Sequence, residues 1–167
     1  MGPMVIKDYG LVLGSFSPMH KGHLDLIMLA KKSCRRGVII AVCGLDGDRG
    51  AKIGLPIERR YEIIKNMFAN DPLVKVIFMK DNDIGIAGYN DKWKEWLDAL
   101  SKAMVSAVLG ADHVSTRACK KMLGQTTLFT GEPTYKKAVE ELDLGMNAFV
   151  LNRELNTISA TKTRKHP

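Results

Sequence analysis

The chain has 167 residues, of which 46% are hydrophobic, so it can bury one sizeable core and a single domain over 1–167 is the simplest expectation. Its 25 lysines and arginines outnumber 18 acidic residues, and the formal charge of +7 favours a partner that carries phosphate. The three cysteines lack the spacing of a metal site or a disulfide framework, and no apolar run approaches the ~18 residues of a membrane-spanning helix.

Nucleic acid is the rival partner for a basic chain, but the basic residues here are scattered rather than grouped in a run or stripe. The N-terminus has no apolar segment typical of a signal peptide, and the cysteine usage fits a reducing compartment. We therefore expect a cytoplasmic protein without a membrane partner. Met1-Gly2-Pro3 is consistent with a remnant of cloning.

Apolar periodicity and turn residues divide the chain into alternating strands and helices. The predicted strands are 9–13, 38–42, 74–79, 127–130 and 148–151. The predicted helices are 21–34, from Pro56 to about Asn70, from about Asp91 past Met104, and 133–142, with a short extra helix between Ala111 and Gly124. A polar, glycine-rich loop is expected from Gly44 to Gly54, and Ser159 is expected to cap a closing helix.

Strands that are separated by helices predict a parallel sheet with right-handed crossovers. The fold class is therefore α/β, a single doubly wound, Rossmann-like domain. In such a fold the ligand site lies beyond the carboxyl ends of the strands.

The segment His20-Lys21-Gly22-His23 directly follows the first predicted strand and opens the first predicted helix. Histidines three residues apart face the same side of a helix's first turn, so both imidazoles should point at one spot. The helix N-terminus adds unpaired N–H groups and partial positive charge, and Gly14 and Gly22 leave room for a close approach. Random placement would give His-x-Gly-His in only about one such chain in a hundred, which favours a phosphate site over two ordinary surface histidines.

Such a site suits the transfer of a phosphoryl or nucleotidyl group, which depends mainly on positioning and on stabilisation of charge. The imidazoles of His20 and His23 can hydrogen-bond the α-phosphate oxygens and the bridging oxygen as negative charge builds. No residue needs to act as a nucleophile.

Residues 14–23, Gly-Ser-Phe-Ser-Pro-Met-His-Lys-Gly-His, resemble the GxFxPxHxGH signature of the nucleotidyltransferase superfamily. That superfamily includes the adenylyltransferases of NAD, coenzyme A and FAD synthesis and the cytidylyltransferases. The resemblance implies that His20 and His23 bind the ATP phosphates and stabilise the transition state. It also implies an ATP site that includes Gly14, Ser15, Phe16, Gly22 and His23.

The segment Ile158-Ser159-Ala160-Thr161-Lys162-Thr163-Arg164 resembles the superfamily's ISxTxxR signature, which meets the β- and γ-phosphates. Hydroxyls of Ser159 and Thr161 can bond phosphate oxygens, and Arg164 can make a planar two-pronged contact with the departing pyrophosphate. Alone, a Ser/Thr cap followed by an arginine is more often structural. Paired with the first motif, it places Ser159 and Thr161 in the ATP site and Arg164 among the catalytic residues.

Further segments resemble the NadR-type nicotinamide mononucleotide adenylyltransferases over nearly the whole chain. They are the acidic loop 44–49, the helix start 55–60, the tryptophan-bearing helix 90–96, the strand end 129–133 and the closing segment 150–167. The match is poor between about 105 and 126, and Gly131 and Thr163 depart from the family pattern. The chain ends three residues after Arg164, where the family continues its helix, so the closing helix could be truncated.

The resemblance implies transfer of AMP from ATP to nicotinamide mononucleotide, which gives NAD and pyrophosphate, with Mg²⁺ held mainly by the substrate phosphates. A flat cationic nicotinamide ring would stack on an aromatic face, and Trp93 is our candidate, although its helical spacing with Trp96 equally predicts core packing. Asp46, Arg49 and Glu132 are weaker candidates for acceptor contacts, because solvated loop charges explain them nearly as well.

Three alternatives stay open on the sequence. The same motifs could serve another acceptor, such as phosphopantetheine or FMN, or CTP with a phosphoalcohol. The chain could be a nucleotide sensor without catalysis, or a basic nucleic-acid-binding domain. The sequence leaves the oligomeric state open.

Overall fold

The computed structural model describes residues 6–80 and 93–151, in which five parallel strands form one sheet. The strands are β1 (Tyr9–Gly14), β2 (Gly37–Gly44), β3 (Val74–Lys80), β4 (Thr126–Thr130) and β5 (Asn147–Val150). Their order across the sheet is β3-β2-β1-β4-β5, so the chain winds outward from β1 first to one side and then to the other. The carboxyl ends of β1 and β4 thus flank the point where the order reverses, and the predicted doubly wound α/β fold is confirmed.

Helices cover both faces of this sheet. They are α1 (Lys21–Ser33), α2 (Arg49–Lys52), α3 (Ile57–Met67), α4 (Trp93–Leu109), α5 (Thr116–Gly124) and α6 (Pro133–Glu141), with a 3₁₀ turn at Ala111–His113. Within residues 6–80 and 93–151, no helix is long and apolar enough to cross a membrane.

Alternate residues of the central strands face two separate cores, because successive side chains of a strand point to opposite faces. Leu11 and Ile39 pack with Trp96 on the face that α4, α5 and α6 cover. Val12 and Ile40 pack on the opposite face, against α1 and α3. β2 is buried along nearly its whole length, as its β-branched run predicts, whereas the edge strand β3 is buried only at intervals.

Three details in and after the loop that follows β2 differ from the sequence prediction. The stretch from Gly44 to Gly54 is not all loop: Asp48 caps the short helix α2 by accepting a hydrogen bond from the Ala51 N–H at 3.0 Å. Pro56 is the N-cap of α3 rather than its first helical residue, because its ψ of 159° is extended. Helix α3 also ends at Met67, slightly earlier than expected.

The segment in which the family resemblance is poor contains the 3₁₀ turn and α5, and α5 is the short extra helix that the sequence predicts. Ser115 caps it, accepting a hydrogen bond from the Ala118 N–H at 3.1 Å. The expected start of α4 near Asp91 and the expected closing helix at Ser159 lie outside the described residues.

Candidate functional site

His20 and His23 lie side by side where α1 begins. His20 is the N-cap, and its Nδ1 accepts a hydrogen bond from the Gly22 N–H at 3.1 Å. Nδ1 of His23 in turn accepts one from the His20 N–H at 3.1 Å, and the two rings stack with centroids 3.7 Å apart. The expectation that both imidazoles share one place is confirmed. An Nδ1 that accepts a hydrogen bond carries no proton, so each neutral ring bears its proton on Nε2, which is its donor atom.

The glycines of the motif make room for its own side chains. A Cβ at Gly22 would lie 3.0 Å from Cε1 of His20, and a Cβ at Gly14 would lie 3.0 to 3.2 Å from three ring carbons of Phe16. Phe16 itself is only 2% exposed, and its ring centroid is 4.5 Å from that of His23. Phe16 therefore supports the His23 ring from the core, and ATP contacts by Gly14, Phe16 and Gly22 stay predictions.

A pocket of about 550 Å³ opens beside the two histidines. Its lining comes from two loops that follow neighbouring strands: Ser15, Ser17, Pro18, His20 and His23 after β1, and Asp48, Arg49, Gly50 and Ile53 after β2. The size is within the range of small-molecule sites, and the position at the carboxyl ends of parallel strands is where this fold binds ligands. The predicted residues Ser15 and Arg49 are thus brought together with the histidines.

Beneath this pocket, Arg60 of α3 is 1% exposed and links the two loops. Its Nη1 donates to Oγ of Ser17 at 2.5 Å, and its Nη2 donates to Oδ2 of Asp48 at 2.7 Å. Burial raises the pKa of Asp48, but the Arg60 hydrogen bond, the N–H groups of Ala51 and Leu45 and the Arg60 charge outweigh burial and hold this pKa below its ordinary value. Asp48 is therefore an ionised partner for a buried cation.

Sequence reasoning missed Arg60, although a signal was present. The apolar stripe of α3 runs through Ile57, Tyr61 and Ile64, and position 60 falls on the same side of the helix at a spacing of three or four residues. An arginine on an apolar stripe has to find partners inside the protein, since a charge is rarely buried unless it is paired.

Asp46 does not line the pocket beside the histidines. Its carboxylate lies 3.2 Å from Nζ of Lys80, the last residue of β3, and the same Nζ lies 3.2 Å from Glu58 of α3. The hydrogen bonds that Lys80 donates to Asp46 and Glu58 raise the pKa of Lys80. In the structure Asp46 thus joins the second loop to the edge of the sheet, and a contact with an acceptor stays a prediction.

Trp93 is the first residue of α4 and Glu132 is the N-cap of α6, and neither lines that pocket. Trp93 is 7% exposed and packs edge-on against Trp96 and Tyr135, with ring centroids 5.8 and 5.3 Å away. Glu132 is the exposed N-cap of α6, and its N–H donates to Oγ1 of Thr130 at 3.1 Å. Trp93 is therefore a core residue, and its stacking on an acceptor ring stays a prediction.

The second motif, with Ser159, Thr161 and Arg164, lies outside the described residues, so its place relative to the histidines stays a prediction. Among residues 6–80 and 93–151, no three His, Cys, Asp or Glu side chains are arranged to hold a metal ion.

Comparison with known proteins adds a family and several relatives. A family model described as cytidylyltransferase-like matches residues 11–166. The nicotinamide/nicotinic acid mononucleotide adenylyltransferase of Acinetobacter baylyi is 31% identical over 101 residues, which are 60% of this chain and 51% of that protein.

Crystal structures of NadR are also similar. NadR in complex with NAD and AMP-PNP is 28% identical with a TM-score of 0.68, over 95% of this chain and 42% of the NadR chain. NadR in complex with NR is 28% identical with a TM-score of 0.69, over 96% of this chain and 41% of the NadR chain. The chain thus spans about half the length of the curated relative and about two fifths of NadR.

Proposed function

Because the chain belongs to the cytidylyltransferase-like family, we propose that it is a nucleotidyltransferase that transfers AMP from ATP to nicotinamide mononucleotide. The observation that carries this proposal is the stacked pair of histidines at the start of α1. Both rings have Nε2 as the donor, beside a pocket large enough for part of a nucleotide.

In the proposed reaction, a phosphate oxygen of the acceptor attacks the α-phosphorus of ATP in line with the bond to the bridging oxygen. That bond breaks, its electron pair leaves with pyrophosphate, and the new phosphoanhydride bond completes NAD. Nε2–H groups of His20 and His23 donate hydrogen bonds to the α-phosphate and bridging oxygens, where negative charge grows. ATP is taken as its Mg²⁺ complex, with the metal on the phosphates of the substrate.

The remaining residues are assigned to the two ends of the reactants. Ser159, Thr161 and Arg164 hold the β- and γ-phosphates and then the departing pyrophosphate. Arg49 is exposed and lines the same pocket as the histidines, where its guanidinium suits the acceptor phosphate. Trp93 is assigned to the nicotinamide ring, and its edge-on contact with Tyr135 leaves the same side chain part of the core.

The choice of acceptor has separate support. The Acinetobacter baylyi relative is named for mononucleotide adenylyltransfer, and the NadR structures hold NAD, AMP-PNP and NR. These ligands belong to those proteins, and the proposal carries them to this chain on the likeness of sequence and fold.

A panel assay tests the proposal. The chain is incubated with Mg²⁺, with ATP or CTP, and with nicotinamide mononucleotide, phosphopantetheine, FMN or a phosphoalcohol, while pyrophosphate and the joined product are followed. We expect ATP with nicotinamide mononucleotide to give pyrophosphate and NAD in equal amounts. Pyrophosphate from another pair alone would show that the acceptor is wrong, and ATP binding without any reaction would favour a nucleotide sensor.

Histidine variants show whether the activity comes from this chain or from traces of a contaminating enzyme. His113 is exposed in the 3₁₀ turn after α4, and the last residue of α4, Leu109, shares a cavity with Tyr9 at the amino end of β1. His113 therefore lies near the end of the sheet at which β1 begins, whereas His20 and His23 follow the carboxyl end of β1. His113→Ala should keep the wild-type rate, whereas replacement of both His20 and His23 by alanine should remove it.

A further inference from the structure

Arg60 is held in an unusual setting for a charged residue. Its guanidinium is buried between the loop after β1 and the loop after β2, and it donates to Ser17 from one arm of its fork and to Asp48 from the other. Ser17 precedes Pro18 and His20 in the histidine loop, and Asp48 precedes Arg49 in the second loop. One side chain therefore joins the two walls of the pocket.

Two glycines fit closely around this guanidinium. A Cβ at Gly50 would lie 2.5 Å from Nη1 of Arg60 and 2.6 Å from Oγ of Ser17. A Cβ at Gly44 would lie 2.8 Å from Nη2 of Arg60 and 2.7 Å from Oδ2 of Asp48. Neither glycine has a positive φ, so the positions need glycine for space and not for backbone conformation. The two glycines thus leave the space that the planar guanidinium of Arg60 occupies.

Stability alone is a weak reason for such a group. Nε of Arg60 is buried without a hydrogen-bond partner among residues 6–80 and 93–151, which is unfavourable. The desolvation of a buried ion pair also often cancels its attraction. A well-packed apolar side chain would commonly hold the two loops together equally well. The guanidinium differs from an apolar side chain because its planar N–H groups fix the orientation of both hydrogen-bond partners as well as their distance.

We propose that Arg60 is a positioning residue for nucleotidyl transfer. It fixes the loop after β1 relative to the loop after β2, so that the donor and acceptor phosphates are held in line for reaction. This inference rests on the proposed function. In-line transfer depends on reacting atoms that are held at about 3 to 3.5 Å, and a displacement of about 1 Å from a change outside the reacting groups can cost roughly 10²-fold in rate. Arg60 acts only through Ser17 and Asp48, because it does not line the pocket.

Arg60→Lys is the decisive variant, because it keeps the charge and loses the fork. One ammonium group on a flexible stem cannot hold both loops with planar geometry. We expect kcat to fall by roughly 10- to 100-fold, while the Kd of ATP measured by calorimetry on the same preparation stays close to the wild-type value. Arg59→Lys is the matched control, since Arg59 is largely exposed beside Glu62, and it should leave kcat unchanged.

A double-mutant cycle separates the link between the loops from general damage. Ser17→Ala removes the partner of Nη1, and its loss of kcat should not add to that of Arg60→Lys, so the double variant should be no slower than Arg60→Lys alone. If Arg60→Lys fails to fold, Ser17→Ala carries the test. Loss of the partner of Nη1 should lower the midpoint of thermal unfolding, and kcat measured well below that midpoint, where the variant is folded, should still fall.

The inference is overturned if folded Arg60→Lys turns over at the wild-type rate, if the losses of the two variants multiply, or if Ser17→Ala keeps full kcat. A drop in rate that only follows the unfolded fraction would likewise assign Arg60 to stability. Failure of the proposed function is distinct, because then the wild-type chain itself yields no pyrophosphate with any pair in the panel.

Discussion

Replacement of Gly50 by alanine tests the close packing around Arg60 directly. The added methyl would lie 2.5 Å from Nη1 of Arg60, 2.6 Å from Oγ of Ser17 and 2.9 Å from the carbonyl oxygen of Leu55. Relieving all three contacts requires movements of roughly 1 Å, since ordinary contacts of this kind are about 3.5 Å or longer. The backbone carbonyl is the least able to move, because the Leu55 N–H is itself bonded to the Gly50 carbonyl at 2.8 Å.

The expected cost follows from two opposing effects. Overpacking of a filled site costs about 1 to 3 kcal/mol of unfolding free energy. Gly50 is a residue of α2, so alanine returns up to about 1 kcal/mol through its higher helix propensity. We expect a net loss of roughly 1 to 2 kcal/mol, which in a domain of this size lowers the midpoint of thermal unfolding by about 2 to 8 °C.

Gly124→Ala is the matched control, because Gly124 is also helical, at the end of α5, and a Cβ there would meet no atom of the described part of the chain within 4 Å. It should leave the midpoint unchanged or raise it slightly. Both variants are compared by thermal unfolding and by the rate of pyrophosphate release, and only Gly50→Ala should be slower. A Gly50→Ala protein as stable and as active as Gly124→Ala would refute the reasoning, since it would mean that the fork of Arg60 tolerates displacement.

Three further predictions concern the site and its surroundings. His23→Ala should lower kcat by about 10²- to 10³-fold with little change in the Kd of ATP, because its contact strengthens in the transition state; equal losses in kcat and ATP binding would argue against that role. Trp93→Ala should lower the unfolding free energy measured in urea by about 3 to 5 kcal/mol, because the ring is buried between Trp96 and Tyr135. Trp93→Phe should retain much of that stability, and a rise in the KM of the acceptor alone for this variant would support stacking. Asp48→Asn should lose about 3 kcal/mol at pH 7 by leaving the Arg60 charge unpaired. Folding lowers the pKa of Asp48, so the stability that its ionised form contributes is complete above the unfolded pKa of about 3.9 and is lost as pH falls through the folded pKa. The difference in unfolding free energy between Asp48→Asn and wild type should therefore narrow below about pH 4. A difference that stays constant with pH would count against this coupling.

The sequence was sufficient for the features that depend on local pattern. The β-branched run at Val38–Val42 and the alternation of strands and helices predict the parallel sheet, and it is observed. The spacing of His20 and His23 places both rings on one turn, and their stacking follows from it. Side-chain periodicity is local, so such features need no knowledge of the rest of the chain.

Features that depend on contacts between distant segments could not be predicted in the same way. Arg60 of α3 meets Ser17 across 43 positions of sequence, and the pairing of β1 with β2 brings the segments that follow these strands together. Pro56 is a favoured first helical residue, yet its extended ψ makes it the cap of α3. Trp93 fits both a core and a ligand-facing role by spacing alone, and its neighbour Tyr135 comes from a distant helix. Tertiary packing decides such cases.

The capping of α1 by imidazoles means that, under the proposed function, the same side chains serve both the stability of this helix and the reaction. Serine, aspartate and asparagine are the side chains that best cap a helix, so replacing His20 with one of them would be a sound choice for making the fold more robust. The same change would remove an Nε2 donor and the ring against which His23 stacks. Under the proposed function, a selection for heat resistance alone at this position would therefore favour a more stable protein with a lower rate of transfer.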